Sequence, residues 1–244
     1  MSFAVPAVVL LTLFSVITTG SIVTVAAQTS SPTDVLSLVA PPESRPLNVT
    51  SGDWGAKWWQ WVYSFPSSQS PLSDDTGERC ALNQTGTVWF LVGTFGGSVT
   101  RQCTIPAGTS LFFPLLNTEC SIAGGDGTNE QELRSCATAQ IDRASSLKAI
   151  VDGVQVPDLQ KYRAQSQLYT ITLPTDNIMG VEAGTTPSIA EGYWIFLNAL
   201  PPGNHEITFG GSAGNPSVTS SMNFVTEVTY HLTVTNSTSA QGAQ

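Results

Sequence analysis

The hydrophobic positions of this chain fall into three patterns. The first is helical. In Gly52-Asp53-Trp54-Gly55-Ala56-Lys57-Trp58-Trp59-Gln60-Trp61-Val62-Tyr63-Ser64-Phe65, the aromatics Trp54, Trp58, Trp61 and Phe65 recur at intervals of four, three and four. That spacing predicts a short helix with one aromatic stripe, capped by Asp53 and ended by Pro66. Trp59 and Tyr63 fall on another side. A second helix is predicted from Thr128, which with Gln131 forms a capping box. Its apolar face carries Leu133, Ala137, Ile141 and Ala144.

The second pattern is continuous. Thr87–Val92, Val99–Ile105 and Ser110–Leu116 are apolar runs separated by Gly93–Ser98 and by Pro106-Ala107-Gly108, which read as turns. Runs of this kind predict strands buried on both faces. Gly93–Ser98 is read as a hairpin turn and not as a phosphate loop, because no Lys and no helix follow it. The third pattern is strict alternation. Phe224, Thr226, Val228, Tyr230, Leu232 and Val234 face one way, while Asn223, Glu227, Thr229, His231 and Thr233 face the other. Asp152-Gly153 between two short runs signals a hairpin. Further strands are predicted at residues 167–173, 193–199 and 205–209. The sum is a mainly β chain, a β-sandwich or jelly roll with a short Trp-rich helix covering one end and one further helix.

The ends have a different composition. Residues 1–33 contain no charged side chain, and Phe3–Val25 is almost wholly apolar or small. Val25-Ala26-Ala27 supplies small residues for signal peptidase, so residues 1–27 read as a signal peptide, cleaved after Ala27. No Lys or Arg precedes the run, and it is long enough to act as an anchor if left uncleaved, the one case in which a membrane would be a partner. Residues 28–50, rich in Ser, Thr and Pro, read as an extended linker. Residues 51–235 then form one domain, and 236–244 a flexible tail.

Composition refines this. The 244-residue chain has only 11% charged residues and a net charge of −9. Such a surface repels phosphate backbones, and no Lys/Arg cluster overrides the repulsion, so nucleic acid is not expected as a partner. Cys80, Cys103, Cys120 and Cys136 are an even set in a chain read as exported. Of the three possible pairings, Cys80–Cys103 with Cys120–Cys136 closes short loops. CxxC spacing is absent and the two histidines lie far away, which argues against zinc. Asn48, Asn83 and Asn236 head N-glycosylation acceptor sequences.

Six stretches stand out together: Trp58-Trp59-Gln60-Trp61, Thr76–Cys80 (TGERC), Val88–Gly97 (VWFLVGTFGG), Thr100–Gly108 (TRQCTIPAG), Leu111–Asn117 (LFFPLLN) and Leu200–Gly211 (LPPGNHEITFGG). Together they resemble a family of secreted prokaryotic proteins of unknown function. The resemblance spans most of residues 54–211. It implies export and one compact domain, and it supplies no catalytic residues. The turn before His205 also resembles turns of extracellular immunoglobulin-like modules.

The candidate chemistry is sparse. Gly210-Gly211-Ser212-Ala213-Gly214 matches a nucleophile elbow, with Ser212 as nucleophile and Glu227 and His231 following as acid and base. However, Pro216 and a strand follow it, and Glu227 and His231 would stand roughly 13 Å apart on one strand. His205, opening a strand after a turn, reads as solvated. Asp74, Asp75 and Glu78 cluster in one loop, and Glu119, Asp126 and Glu130 in another. Either loop could supply glycosidase carboxylates such as Asp74, Asp75 or Glu119. The second could supply calcium ligands (Glu119, Asp126, Glu130), although neither has EF-hand spacing. Calcium is therefore the one cofactor to consider. Trp59 and Tyr63, off the aromatic stripe, are candidates for a ligand platform. The leading expectation is a non-catalytic secreted or cell-surface protein that binds carbohydrate or another surface protein. The alternatives are a secreted hydrolase of glycoside or ester bonds, and a structural subunit of a surface layer or filament assembled through edge strands.

Overall fold

The computed structural model describes residues 32–214 and 224–236. The expected leader at 1–27, Asn223 and the expected tail beyond Asn236 lie outside the described residues. Among the described residues the fold is mainly β, with two mixed sheets and three α-helices. The first sheet is ordered β1 (Val88–Phe90), β3 (Ser110–Ser121), β8 (Gly184–Leu197) and β6 (Arg163–Gln165), with β7 (Tyr169–Leu173) also paired to β8. The second runs β2 (Gly97–Ile105), β10 (Phe224–Val234), β9 (Gly203–Ala213), β4 (Ala144–Val151) and β5 (Val154–Gln155). β1 pairs with β3 in parallel, and so does β2 with β10. These two pairs depart from the all-antiparallel order of a simple meander or jelly roll.

The parallel pairs arise because the chain crosses between the sheets after β1. Gly93–Ser98 does not close a hairpin. β1 and β2 belong to different sheets, and the turn carries the chain across from one to the other. Local turn chemistry was right, but the partners of both strands lie far away in sequence.

Alternate residues of adjoining strands explain the layers. Phe113, Ile195 and Leu197 point from the first sheet into an inter-sheet core, where they meet Ile105, Phe209, Tyr230 and Leu232 of the second. Phe113 stacks on Phe209 at 4.7 Å, and Phe209 on Tyr230 at 5.9 Å. Phe112, Trp194 and Phe196 point the other way into a second core. The first sheet is therefore buried on both faces, as its continuous apolar runs require.

The cover on that second face is α2 (Ser51–Tyr63). The Trp-rich helix lies along the outer face of the first sheet and does not cap one end of the sandwich. Its N-cap is Thr50, not Asp53. Thr50 Oγ1 accepts from Asp53 N at 3.1 Å and donates to Asp53 Oδ2 at 2.7 Å. Trp54, Trp58, Trp61 and Phe65 are all buried. The stripe indoles of Trp54, Trp58 and Trp61 donate to the carbonyls of Pro46, Leu91 and Leu82. Close approach requires glycine at two positions. A Cβ on Gly52 would lie 2.1 Å from Gln165 O, and one on Gly55 2.6 Å from the Trp194 ring.

α3 (Glu130–Ile141) packs Leu133 and Ala137 against Cys120 and Ile189. Its N-cap is Asn129, whose side chain accepts from Glu132 N, while Glu132 accepts from Thr128 N; the Thr128–Gln131 box does not form. Both disulfides pair as the short loops suggest, Cys80–Cys103 and Cys120–Cys136. Loops of this length each add about 3 kcal/mol in the chain-entropy view.

Part of the expected linker is structural. α1 (Pro32–Leu38) places Val35 in the inter-sheet core, joined there by Val39. Ala40 N donates to Phe196 O and Asn198 N to Leu38 O, so the segment docks along β8. Among the described residues, no helix is long and apolar enough to cross a membrane.

Candidate functional site

A pocket of about 200 Å³ opens where α2, the middle of β3 and the start of β10 meet. Trp58, Trp59, Tyr63 and Leu72 line one part, and the Pro114–Glu119 stretch of β3 another. Trp59 is partly buried. Its ring lies 4.9 Å from Trp58, edge to face, and 4.9 Å from Tyr63. Phe95 and Phe224 complete the lining, and they remain 62% and 39% exposed. Val225, next in the chain, is 51% exposed. A Cβ on Gly96 would touch the Phe224 ring at 3.8 Å, so the Phe95 turn lies against the start of β10. Large apolar side chains left exposed side by side in this way mark an interaction surface more often than scattered ones do.

A buried cation fixes the turn that carries Phe95. Arg101, 1% exposed, sends Nη1 to the carbonyls of Val92 (2.7 Å) and Gly93 (2.9 Å). Its Nε donates to the carbonyl of Asp74. Val92 N donates to the Tyr230 hydroxyl, which Arg101 also reaches. Thr94 N donates to Thr226 Oγ1. Phe95 thus projects from a braced turn.

Glu119 sits at the inner end of the pocket. Tyr63 donates its hydroxyl to Oε2 at 3.2 Å, and Ser188 donates to Oε1. Burial pushes the Glu119 carboxyl above its usual range, although the hydroxyls of Ser188, Ser121 and Tyr63 oppose the shift. Burial likewise raises Tyr63 and Tyr169, and the nearby Glu119 adds to both. Tyr63 itself is buried, so it supports the pocket floor and offers no free platform.

The other candidates do not assemble into catalytic sets. Asp74 is buried, and its carboxylate accepts from Thr76 N, Thr76 Oγ1, Gly77 N and Arg79 N. Burial pushes its pKa up, but the hydrogen bonds from Arg79, Thr76 and Gly77 outweigh that and hold it below the usual range. It organises its own loop. Asp75 and Glu78 are exposed. Asp74 is thus engaged by its own loop and both Glu119 oxygens by hydroxyl donors, so neither of these two candidates is a free carboxyl.

Ser212 lies inside β9, paired with Val225 and Ser145, and its hydroxyl meets Ser145 Oγ at 2.9 Å. A strand interior is not a nucleophile elbow. Glu227 is bound to Lys148 at 2.8 Å, and His231 stands opposite Glu206. His205 is not solvated. It is buried, with Nδ1 2.7 Å from Asp152 Oδ2 and Nε2 2.8 Å from Pro201 O. The carbonyl occupies the place a nucleophile would need.

Each of the expected calcium ligands has another partner. Glu130 pairs with Arg134, Asp126 accepts from Ser121 N, and Glu119 faces Tyr63. Among the described residues, the one group of three ligand-type side chains that converges is Cys120, Asp126 and Cys136, and its two sulfurs are already joined. Asn48, Asn83 and Asn236 are all exposed.

Neither Phe95 nor Arg101 is marked as a site residue by the sequence, and Phe224, which alternation places with the core residues of the last strand, is 39% exposed. The two phenylalanines are far apart in the chain and meet only through the parallel pairing of β2 with β10.

No family model and no curated protein matches the chain. Among solved structures, a cysteine protease inhibitor from Entamoeba histolytica aligns with 60% of this chain and 95% of its own, at 14% identity and a TM-score of 0.22. Amebosin aligns with 61% of this chain and 99% of its own, at 9% identity and a TM-score of 0.18. Likenesses at that level carry no argument.

Proposed function

We propose that this chain is a non-catalytic binding protein working outside the cytoplasm, and that its partner is a protein that inserts an apolar side chain into the Trp59 pocket. Export is supported by the uncharged apolar leader and by two disulfides, which persist in oxidising compartments. The observation that carries the binding reading is the exposure of Phe95 and Phe224 at the mouth of a pocket floored by Trp59 and Leu72.

The pocket's chemistry favours a protein side chain over a sugar. Its volume lies below the roughly 300–1,000 Å³ of small-molecule sites. Its side-chain acceptors are largely committed, Thr118 with Gln140, Thr226 with Thr94, and Glu119 with Tyr63 and Ser188, while the Trp59 indole and the Asn117 amide keep N–H donors without partners among the described residues. A sugar would bring hydroxyl donors with few acceptors to meet them. A buried apolar anchor inside a less apolar rim is the usual energetic centre of a protein interface.

Panning a displayed random-peptide library against the immobilised protein tests this. The expected result is enrichment of sequences with a Phe, Trp or Leu anchor, with binding lost in F95D and F224D proteins that retain the wild-type melting temperature. Failure to enrich any sequence, or retention of binding by both variants, would overturn the reading.

A further inference from the structure

We infer that the outer face of the second sheet holds a separate site for a neutral oligosaccharide, centred on Gln102, His231 and Glu206. A groove of about 630 Å³ runs over this face, within the size range of ligand sites. Pairing register builds it. Gln102 of β2 lies opposite His231 of β10, which lies opposite Glu206 of β9. Two residues along, Thr104, Thr233 and Asn204 form a second row in the same way. All six side chains are exposed. Strand spacing puts each row about 10 Å across, with the rows roughly 7 Å apart.

The groups in this grid are mostly uncommitted. The side chains of Gln102 and Thr104 make no hydrogen bond among the described residues. Thr233 donates to Asn204 Oδ1 at a long 3.3 Å, leaving the amide nitrogen free. His231 Nδ1 stands 3.5 Å from Glu206 Oε2, with both side chains about half exposed. Two amides, two hydroxyls, an imidazole and a carboxylate therefore present donors and acceptors together. Neighbouring sugar hydroxyls, each donor and acceptor at once, need that mixture, and the Glu206 carboxylate can accept from two of them.

Charge narrows the ligand. No Lys or Arg lines the groove, and its other acid, Asp152, is bound to His205. The open charge is Glu206, on a chain of net charge −9. Phosphates, uronates and nucleic acid find no Lys or Arg there to offset the Glu206 charge, whereas a neutral glycan is not penalised.

Two-dimensional NMR with cellohexaose, xylohexaose, maltohexaose and chitohexaose at millimolar concentration, and with oligogalacturonate as the anionic comparison, tests the site. At least one neutral probe is expected to shift the side-chain amides of Gln102 and Asn204 and the ring of His231. E206A, folded by its amide spectrum, is expected to weaken that association about tenfold or more. The inference is overturned if no neutral probe moves these resonances, if E206A binds as wild type, if the anionic probe binds as well, or if the shifts centre on the Trp59 indole. Peptide binding at the Trp59 pocket uses other residues, so either site can fail without the other.

Discussion

Arg101 Nη1 donates to the Tyr230 hydroxyl at 3.0 Å, and the guanidinium lies 5.6 Å from the Tyr230 ring centre. This contact joins β2 and β10 inside the sandwich and at the same time braces the turn bearing Phe95. A lysine keeps the charge but loses the planar fork that reaches Asp74, Val92 and Gly93 together. R101K is expected to lower stability by roughly 2–4 kcal/mol, read from urea denaturation, because buried carbonyls are left unpaired. It should also weaken any peptide selected on the Trp59 pocket. Wild-type stability in R101K would show that the turn is held some other way.

Much of this framework is legible in the chain. Phe112 and Phe113 are adjacent and both apolar, which means layers on both sides of β3, and the structure sends one to each core. Alternation in β10 reads correctly from Thr226 to Val234, and the tryptophan stripe reads correctly in α2. Long-range pairing was not legible. Gly93–Ser98 looks like a hairpin because turn residues report only local geometry. Val35 and Val39, set among Ser and Pro, look too sparse to dock, yet their four-residue spacing puts both into the core. Tyr63 shares a helix side with Trp59, but β3 reaches far enough to cover it with Glu119.

His205 bridges Asp152 and the Pro201 carbonyl through its two ring nitrogens. Both neighbours are acceptors, so the doubly protonated ring satisfies both. The hydrogen bond to Asp152 is the main cause of its raised pKa. Its contribution to stability is therefore complete below the unfolded value of about 6.5 and is lost as pH rises through the higher folded value. Burial pushes Asp152 up, but its bonds with His205 and Glu206 N outweigh that and hold it low. Its contribution is present above about pH 4 and is lost as pH falls through the folded value. H205Q is expected to lose roughly 1–3 kcal/mol at pH 5.5 and clearly less at pH 9, measured by urea midpoints. An equal loss at both pH values would contradict the charged bridge.

Glu119 shows the opposite balance for an acid. Burial raises its folded pKa, so its protonated form is favoured in the fold, and that contribution is lost as pH rises from the unfolded value of about 4.3 through the folded one. Relative to wild type, E119Q should therefore improve as pH rises from 4 to 7.5. E119A leaves the hydroxyls of Tyr63 and Ser188 without their acceptor and is expected to lose roughly 2–4 kcal/mol. Thermal melts of both variants across that range check the sign.

The most direct measurement of the central claim is an NMR titration of wild-type protein with the tightest library-selected peptide. Shifts are predicted at the Trp59 indole and at the backbone amides of Thr94, Phe95 and Phe224, saturating together with one dissociation constant. Saturable shifts that leave these four signals in place, and fall elsewhere on the surface, would contradict it.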